Sequence, residues 1–191
     1  MPITINGNGS VTGISVGGLP DGIVDTDMIA NNAVTNAKST ITGGKVLNVV
    51  QSTYNTQVTV DSATFTDTGL SASITPSATS SKIMVLVSQT FYNERAHREA
   101  FSGIQLLRGS TVIATESEKS NGSYMYINTG SSFNWNHGGR WTLQYLDSPN
   151  TTSSTTYKTQ GRPHTTNNSG LVRFQYDSAV PSYITLMEIA G

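Results

Sequence analysis

The spacing of hydrophobic positions changes character at Gly44. Upstream, in "DMIANNAVTNAKSTI", Met28 or Ile29, Ala33, Val34, Ala37 and Ile41 recur at three- and four-residue steps. The stripe is thin, because most of it is alanine and valine set among Asn, Thr and Ser. Asp25 or Thr26 supplies an N-cap, Asp27 suits the positive end of the helix dipole, and Gly43-Gly44 is a stop. One short helix is predicted over about residues 26–38. It is marginal by itself, since isolated helices need about 12–15 residues even with good formers. Ahead of it, "MPITINGNGSVTGISVGGLPDG" is dense in Gly, Asn and Pro with isolated Ile and Val. Such a segment buries too little apolar surface to fold alone and is expected to be extended, ordered only against a partner.

Downstream of Gly44 the period becomes two. "KVLNVVQST", "ATFTDTGLSASI", "SKIMVLVSQT", "RWTLQYLDS", "TSSTTYKTQ", "GLVRFQYDS" and "SYITLMEIA" each read as strands. "SKIMVLVSQT" is apolar on both faces and is expected to be central. "AFSGIQLLRGSTVIATES" places Arg108-Gly109-Ser110 between two strand-like runs, a hairpin signal. The total is about eight to ten short strands at roughly ten-residue spacing with no helical pattern between them. The expected fold is all-β: an antiparallel β-sandwich or jelly roll at the C-terminus, preceded by an extended segment and one short helix. Three parts follow: an extended segment at 1–22, a short helix and linker at 23–44, and a β-sandwich at 45–191.

Composition alters this picture only in detail. The 191 residues are 36% hydrophobic, 8% aromatic and 12% charged, with net charge -1 and no cysteine. Ser, Thr, Asn and Gly take the place of charge, which suits solvated sheet and turns. A near-neutral chain without a basic face is not expected to bind nucleic acid. No apolar run is long enough to span a bilayer, so no membrane insertion is expected, and the N-terminus carries no secretory pattern. Absent cysteine excludes disulfides and thiolate metal sites. A weak core without staples favours oligomerisation.

Three groups of residues together resemble bacteriophage tail-fibre and other virion structural proteins. "DMIANNAVTNAK" is similar to one shaft unit of that family, in which Ala-Val-Thr-x-Ala-Lys recurs. "TGLSASITPSATSSKIMVLVS", "YLDSPNTTSSTTYK" and "SYITLMEI" are similar to its C-terminal β-domain. The resemblance implies a homotrimer on the virion, assembled in the host cytoplasm, joined to another virion protein through residues 1–22 and ending in a distal knob. This chain has a single shaft unit where long fibres repeat it, so a short fibre or a capsid- or tail-decorating stub fits the length. Small residues on a narrow stripe allow chains to approach closely around an axis. Ile29, Ala33, Val34, Ala37 and Ile41 are therefore the expected stalk contacts.

Candidate chemistry is sparse. His97, His137 and His164 are too dispersed for a local metal motif, and no metal or cofactor is expected. There is no G-x-S-x-G elbow. Glu94, Glu116, Glu118 and Asp147 are the acidic residues to weigh for polysaccharide cleavage, which needs two carboxylates about 5–9 Å apart. Nothing in the sequence brings them together, so no enzyme is expected. "YNERAHREAF" is the one charge-dense segment, readable as a short helix with i, i+4 pairs or as a loop or strand end. "NGSYMYINTGSSFNWNHGGR" concentrates aromatics among Asn, Ser, Gly and His. Tyr126, Asn134, Trp135, Asn136, His137 and Arg140 offer ring faces, amides and a guanidinium of the kind that grip a sugar. The competing reading is that Tyr124 and Tyr126, or Phe133 and Trp135, share a core-facing side of a strand.

Overall fold

The computed structural model describes residues 4–5, 11–12, 44–95, 99–116, 125–126 and 135–191. The helix expected over about 26–38, with Ile29, Ala33, Val34, Ala37 and Ile41, lies outside the described residues. The chain divides into two units, Met1–Ile41 and Thr42–Gly191. In the first, β1 (Thr4–Ile5) and β2 (Val11–Thr12) pair antiparallel, with Thr4 opposite Thr12.

Among the described residues the second unit is built mainly of strands, with one 3-10 turn at Asn167–Ser169. β3 (Val46–Tyr54), β4 (Val58–Val60) and β5 (Thr66–Ile74) come first. β6 (Lys82–Arg95), β7 (Glu99–Ala100), β8 (Ser102–Arg108) and β9 (Thr111–Glu116) follow. β10 (Met125–Tyr126), β11 (Trp135–Asp147), β12 (Thr155–Pro163), β13 (Leu171–Phe174) and β14 (Ser182–Ile189) complete the order. Alternation makes one side of each main strand apolar, as in β5, where Thr68, Leu70, Ala72 and Ile74 are buried and the residues between them are exposed. Such a strand is stable only when that side is covered, which is why two sheets close on each other.

The first sheet is centred on β6. On one side β11 pairs along its whole length, from Trp135 opposite Arg95 to Asp147 opposite Ile83. On the other side two strands share it: β14 takes residues 82–88 and β13 takes residues 91–94. β3 lies outside β14 and β4 outside β13. The second sheet runs β5-β12-β8-β9. Counting only the eight long strands in chain order, the first sheet reads 1-8-3-6 and the second 2-7-4-5. This is the two-Greek-key order of a jelly roll. The expected all-β antiparallel sandwich is thus the observed fold.

Several boundaries differ from the sequence reading. β6 continues to Arg95, so Glu94 and Arg95 belong to a strand and not to a helical turn. Glu94 is paired on both flanks, with Asn136 and Leu171, and Arg95 is paired with Trp135. Glu94 forms an ion pair with Arg173, and Arg95 Nε donates to Asn167 O at 3.3 Å. "GLVRFQYDS" is not one strand: it breaks at Gln175, whose φ is 48°.

The interior has two apolar clusters with a polar belt between them. Leu70, Ile74, Ile83, Val85, Leu106, Leu143, Ile184 and Leu186 form the first. Val60, Phe91, Ile104, Trp141, Val172 and Phe174 form the second. Gln89 sits on the inner face of β6 between Val87 and Phe91, fully buried. Its Oε1 accepts from Thr159 Oγ1 at 2.9 Å and Thr68 Oγ1 at 3.2 Å, and its Nε2 donates to Ser182 Oγ at 2.9 Å. Gln175 completes the belt. With its oxygen toward Gln89 Nε2 and Ser182 Oγ, its nitrogen donates to Thr68 O at 3.1 Å and Phe174 O at 3.3 Å. Buried amides are tolerated only when so paired.

Candidate functional site

The outer face of the β6 sheet carries the residues of interest, and strand parity decides which ones. On β11, Trp141, Leu143 and Asp147 are buried, so odd positions face the core and even positions face out. Asn136, Gly138 and Arg140 therefore lie in a row on the outer face, about 7 Å apart at each step. His137 lies on the inner side, its ring edge-on to Phe91 with centroids 5.7 Å apart. Trp135 opens β11 opposite Arg95, and Tyr126 lies in β10 opposite Glu99. Asn134 lies outside the described residues. Of the six residues picked from sequence, Asn136 and Arg140 share the outer face, and His137 joins the core side instead.

The tandem glycine between them has two separate reasons. A Cβ on Gly139 would stand 2.8 Å from Phe91 Cζ on the inner side. A Cβ on Gly138 would stand 3.1 Å from Tyr92 Cδ2 and 3.7 Å from Tyr176 Oη on the outer side. Tyr92 thus lies down over the Gly138 backbone, and Tyr176 packs against it with ring centroids 5.0 Å apart. Tyr176 comes from the break between β13 and β14 and is 36% exposed. Next along the row, Arg140 Nη1 donates to Ser88 Oγ at 3.1 Å, and the guanidinium carbon sits 5.8 Å from the centre of the Tyr183 ring. A cation held over an aromatic face gains roughly 0.5–1 kcal/mol at an exposed site. The result is a shallow platform: an amide at Asn136, two tyrosine rings over a glycine floor, and a guanidinium lying near a third ring.

Sequence reasoning missed Tyr92, Tyr176 and Tyr183, which come from three separate stretches. The usable signal was local: Tyr92 shares its strand face with the polar neighbours Thr90 and Glu94, and Tyr183 with Thr185.

The same outer face is apolar at its other end. Val49, Met187, Met84 and Leu146 stand in register across β3, β14, β6 and β11. Val49 is 52% and Leu146 47% exposed.

The buried carboxylates are occupied by their own chain. Asp147 accepts from Arg108 Nη1 at 3.0 Å on both oxygens and from Tyr157 Oη at 2.7 Å. Burial, reinforced by that bond, pushes the Tyr157 phenol above its usual range. Glu188 Oε1 accepts from Ser77 N and Ser77 Oγ at 2.6 Å and from Ser81 Oγ at 2.7 Å. Burial works against its ionisation, yet the three donors together hold its carboxyl below the usual range. Of the acids weighed for cleavage, Asp147 and Glu94 lie opposite and on β6 at residues 83 and 94, a separation of ~35 Å along the strand. That exceeds any glycosidase geometry. Glu116 ends β9, opposite Ile104, and Glu118 lies outside the described residues. Among the described residues there is no cluster of three metal-ligating side chains. Nor is any helix there long and apolar enough to cross a membrane.

Fold and platform define a jelly-roll β-sandwich with a solvent-facing aromatic and polar surface. No family model and no curated protein matches the chain. Among solved structures it is similar to one of infectious bursal disease virus, Gx strain, at 11% identity and a TM-score of 0.32, covering 75% of this chain and 40% of that one. It is also similar to a VP2 subviral particle of the same virus, at 16% identity and a TM-score of 0.30, covering 75% and 37%. The chain spans less than half the length of either, and at these scores the likeness carries no functional assignment.

Proposed function

We propose that this protein is a structural component of a bacteriophage virion: a short trimeric tail fibre that attaches through residues 1–22 and recognises a host surface glycan with its β-sandwich knob. The observation that carries the glycan part is the platform in which Tyr92 and Tyr176 lie over Gly138, with Asn136 and Arg140 on either side of it along β11. Tyrosine faces cover the apolar side of a pyranose, while a neighbouring amide and guanidinium take its hydroxyls. The sheet holds these groups rigidly, so little ordering entropy opposes a weak ligand. No catalytic step is assigned to the chain.

The test is attachment. Purified protein is expected to bind host cells and to block phage adsorption, and Tyr92→Ala with Tyr176→Ala is expected to abolish both while the fold is kept. Unchanged blocking by the double variant refutes the platform. Antibody labelling of virions in the electron microscope is expected at the tail.

A second reading, a capsid-decorating or tail-assembly protein without host binding, is favoured by the apolar row from Val49 to Leu146. That row is uncharged and suits a neighbouring copy or another virion protein. Label on the head shell, with no blocking of adsorption, selects it.

A further inference from the structure

We infer that the platform selects an acidic sugar, with Arg140 taking the carboxylate of a uronic- or sialic-type residue whose ring lies against Tyr92 and Tyr176. This rests on the glycan reading above and narrows its substrate class.

Three other basic groups of the sandwich are matched by carboxylates of the chain: Arg108 by Asp147, Arg173 by Glu94, Lys158 by Asp67 at 2.8 Å. Arg162 lies 4.7 Å from the Phe65 ring centre and donates to Ala63 O at 2.8 Å. Arg140 is exposed, and among the described residues its neighbours are a hydroxyl and an aromatic ring, with no carboxylate. A guanidinium posed over a ring keeps its full charge and loses side-chain freedom before a ligand arrives. Its remaining N–H groups form the planar fork that matches a carboxylate in two parallel bonds.

The surroundings do not cancel this charge. Glu94, next along β6 from Tyr92 on the same face, is already paired with Arg173. Asp177, beside Tyr176, has its Oδ1 turned to Ala179 N at 2.8 Å. A nucleic acid or an anionic membrane would need several free cations in a patch, whereas among the described residues of the platform Arg173, opposite Tyr92, is taken up by Glu94 and Arg140 alone is left without a carboxylate. One cation beside a pair of rings, an amide and a glycine floor fits one carboxylated pyranose. Gly138 matters for the same reason, because any side chain there would displace Tyr92.

The test uses the full chain and calorimetric titration with polygalacturonate, alginate, hyaluronate and polysialic acid, each alongside its carboxyl-reduced, neutral counterpart. A sulfated dextran is the control for anions in general. At least one acidic polymer is expected to bind more tightly than its neutral counterpart. Arg140→Gln is expected to weaken that binding about ten- to hundred-fold, the loss typical of one charge-assisted pair. Arg140→Lys, which keeps charge but loses the fork, should fall between. Added salt should weaken only the acidic form. Tyr92→Ala should weaken acidic and neutral forms alike. The inference is overturned if neutral and acidic forms bind equally, if Arg140→Gln leaves acidic binding unchanged, or if sulfated dextran competes as well as the carboxylates. In those cases sugar binding itself still stands. If no polymer, acidic or neutral, and no host glycan binds a protein whose Trp141 fluorescence reports a native core, the glycan reading falls with it.

Discussion

Gly139 and Phe91 face each other across β11 and β6 so closely that a Cβ on the glycine would stand 2.8 Å from Phe91 Cζ. The ring is buried among Trp141, Ile104 and Phe174 and has nowhere to withdraw. Gly139→Ala is therefore expected to cost ~1–3 kcal/mol through overpacking. Gly138→Ala meets an outer tyrosine that can tilt toward solvent, and its stability cost should be smaller. Urea midpoints followed by tryptophan fluorescence separate the two; equal losses would refute the two-sided account.

Gln89 tests the polar belt. Replacing it with Leu keeps the volume but removes its bonds to Thr159 Oγ1, Thr68 Oγ1 and Ser182 Oγ, although Thr159 Oγ1 still meets Thr68 Oγ1 at 2.6 Å and Ser182 Oγ still accepts from Thr90 N at 2.9 Å. Each buried hydrogen bond lost costs roughly 0.5–1.5 kcal/mol net. A large drop in the urea midpoint is expected, and a stabilised Gln89→Leu variant would show that the belt is dispensable.

Glu188 links stability to acid. Its folded carboxyl titrates below the ordinary value of 4.5, so the folded state holds fewer protons than the unfolded one across that interval. The sign follows: the stabilisation is fully present above the unfolded value and is lost as pH falls through the folded one. Glu188→Gln should be less stable at neutral pH and lose less than the wild type on acidification below about pH 4. Parallel acid limbs for the two proteins would contradict this.

Tyr157 gives the opposite limb. Its phenol is pushed up by burial and by Asp147, so its contribution is whole below the unfolded value near 10 and declines as pH rises above it. Tyr157→Phe should be less stable at pH 7, having removed one of Asp147's donors and left it with Arg108 alone, and should show a flatter alkaline limb. Absorbance of tyrosinate during alkaline titration locates the transition.

The apolar row is expected to lie between copies. Leu146→Glu with Val49→Glu places charges on exposed positions and should leave the fold of one chain intact. Sedimentation at micromolar concentration should give a lower mass for the double variant than for the wild type. A wild type that is already monomeric would remove association through this row.

Much of the fold could be read from the sequence because side-chain period two assigns each strand an inner and an outer side by local means. "SYITLMEIA" and "TGLSASI" announce their buried residues without reference to any partner. The hairpin at Gly109, whose φ is 58°, was legible for the same reason: the turn needs a residue tolerant of positive φ. The break at Gln175 was not, because that amide leaves the strand pattern to reach Gln89, Ser182 and Thr68 on other strands. Nor was the extent of β6, since pairing by β11 and β13 holds Glu94 and Arg95 extended against their helical spacing.

The candidate site divides along the same line. Asn136 and Arg140 stood out as polar, ring-compatible residues in one local stretch, but so did His137, and only strand parity sends it inward to Phe91. The tyrosines that complete the platform come from residues 92, 176 and 183, brought together because β11, β6 and β14 are neighbours in a jelly roll. By itself the sequence determined the period, the turns and the scarcity of charge, all of which are local properties of the chain. The pairing order, the polar belt and the meeting of Arg140 with Tyr183 belong to tertiary structure, because each depends on strands whose adjacency no short-range pattern encodes.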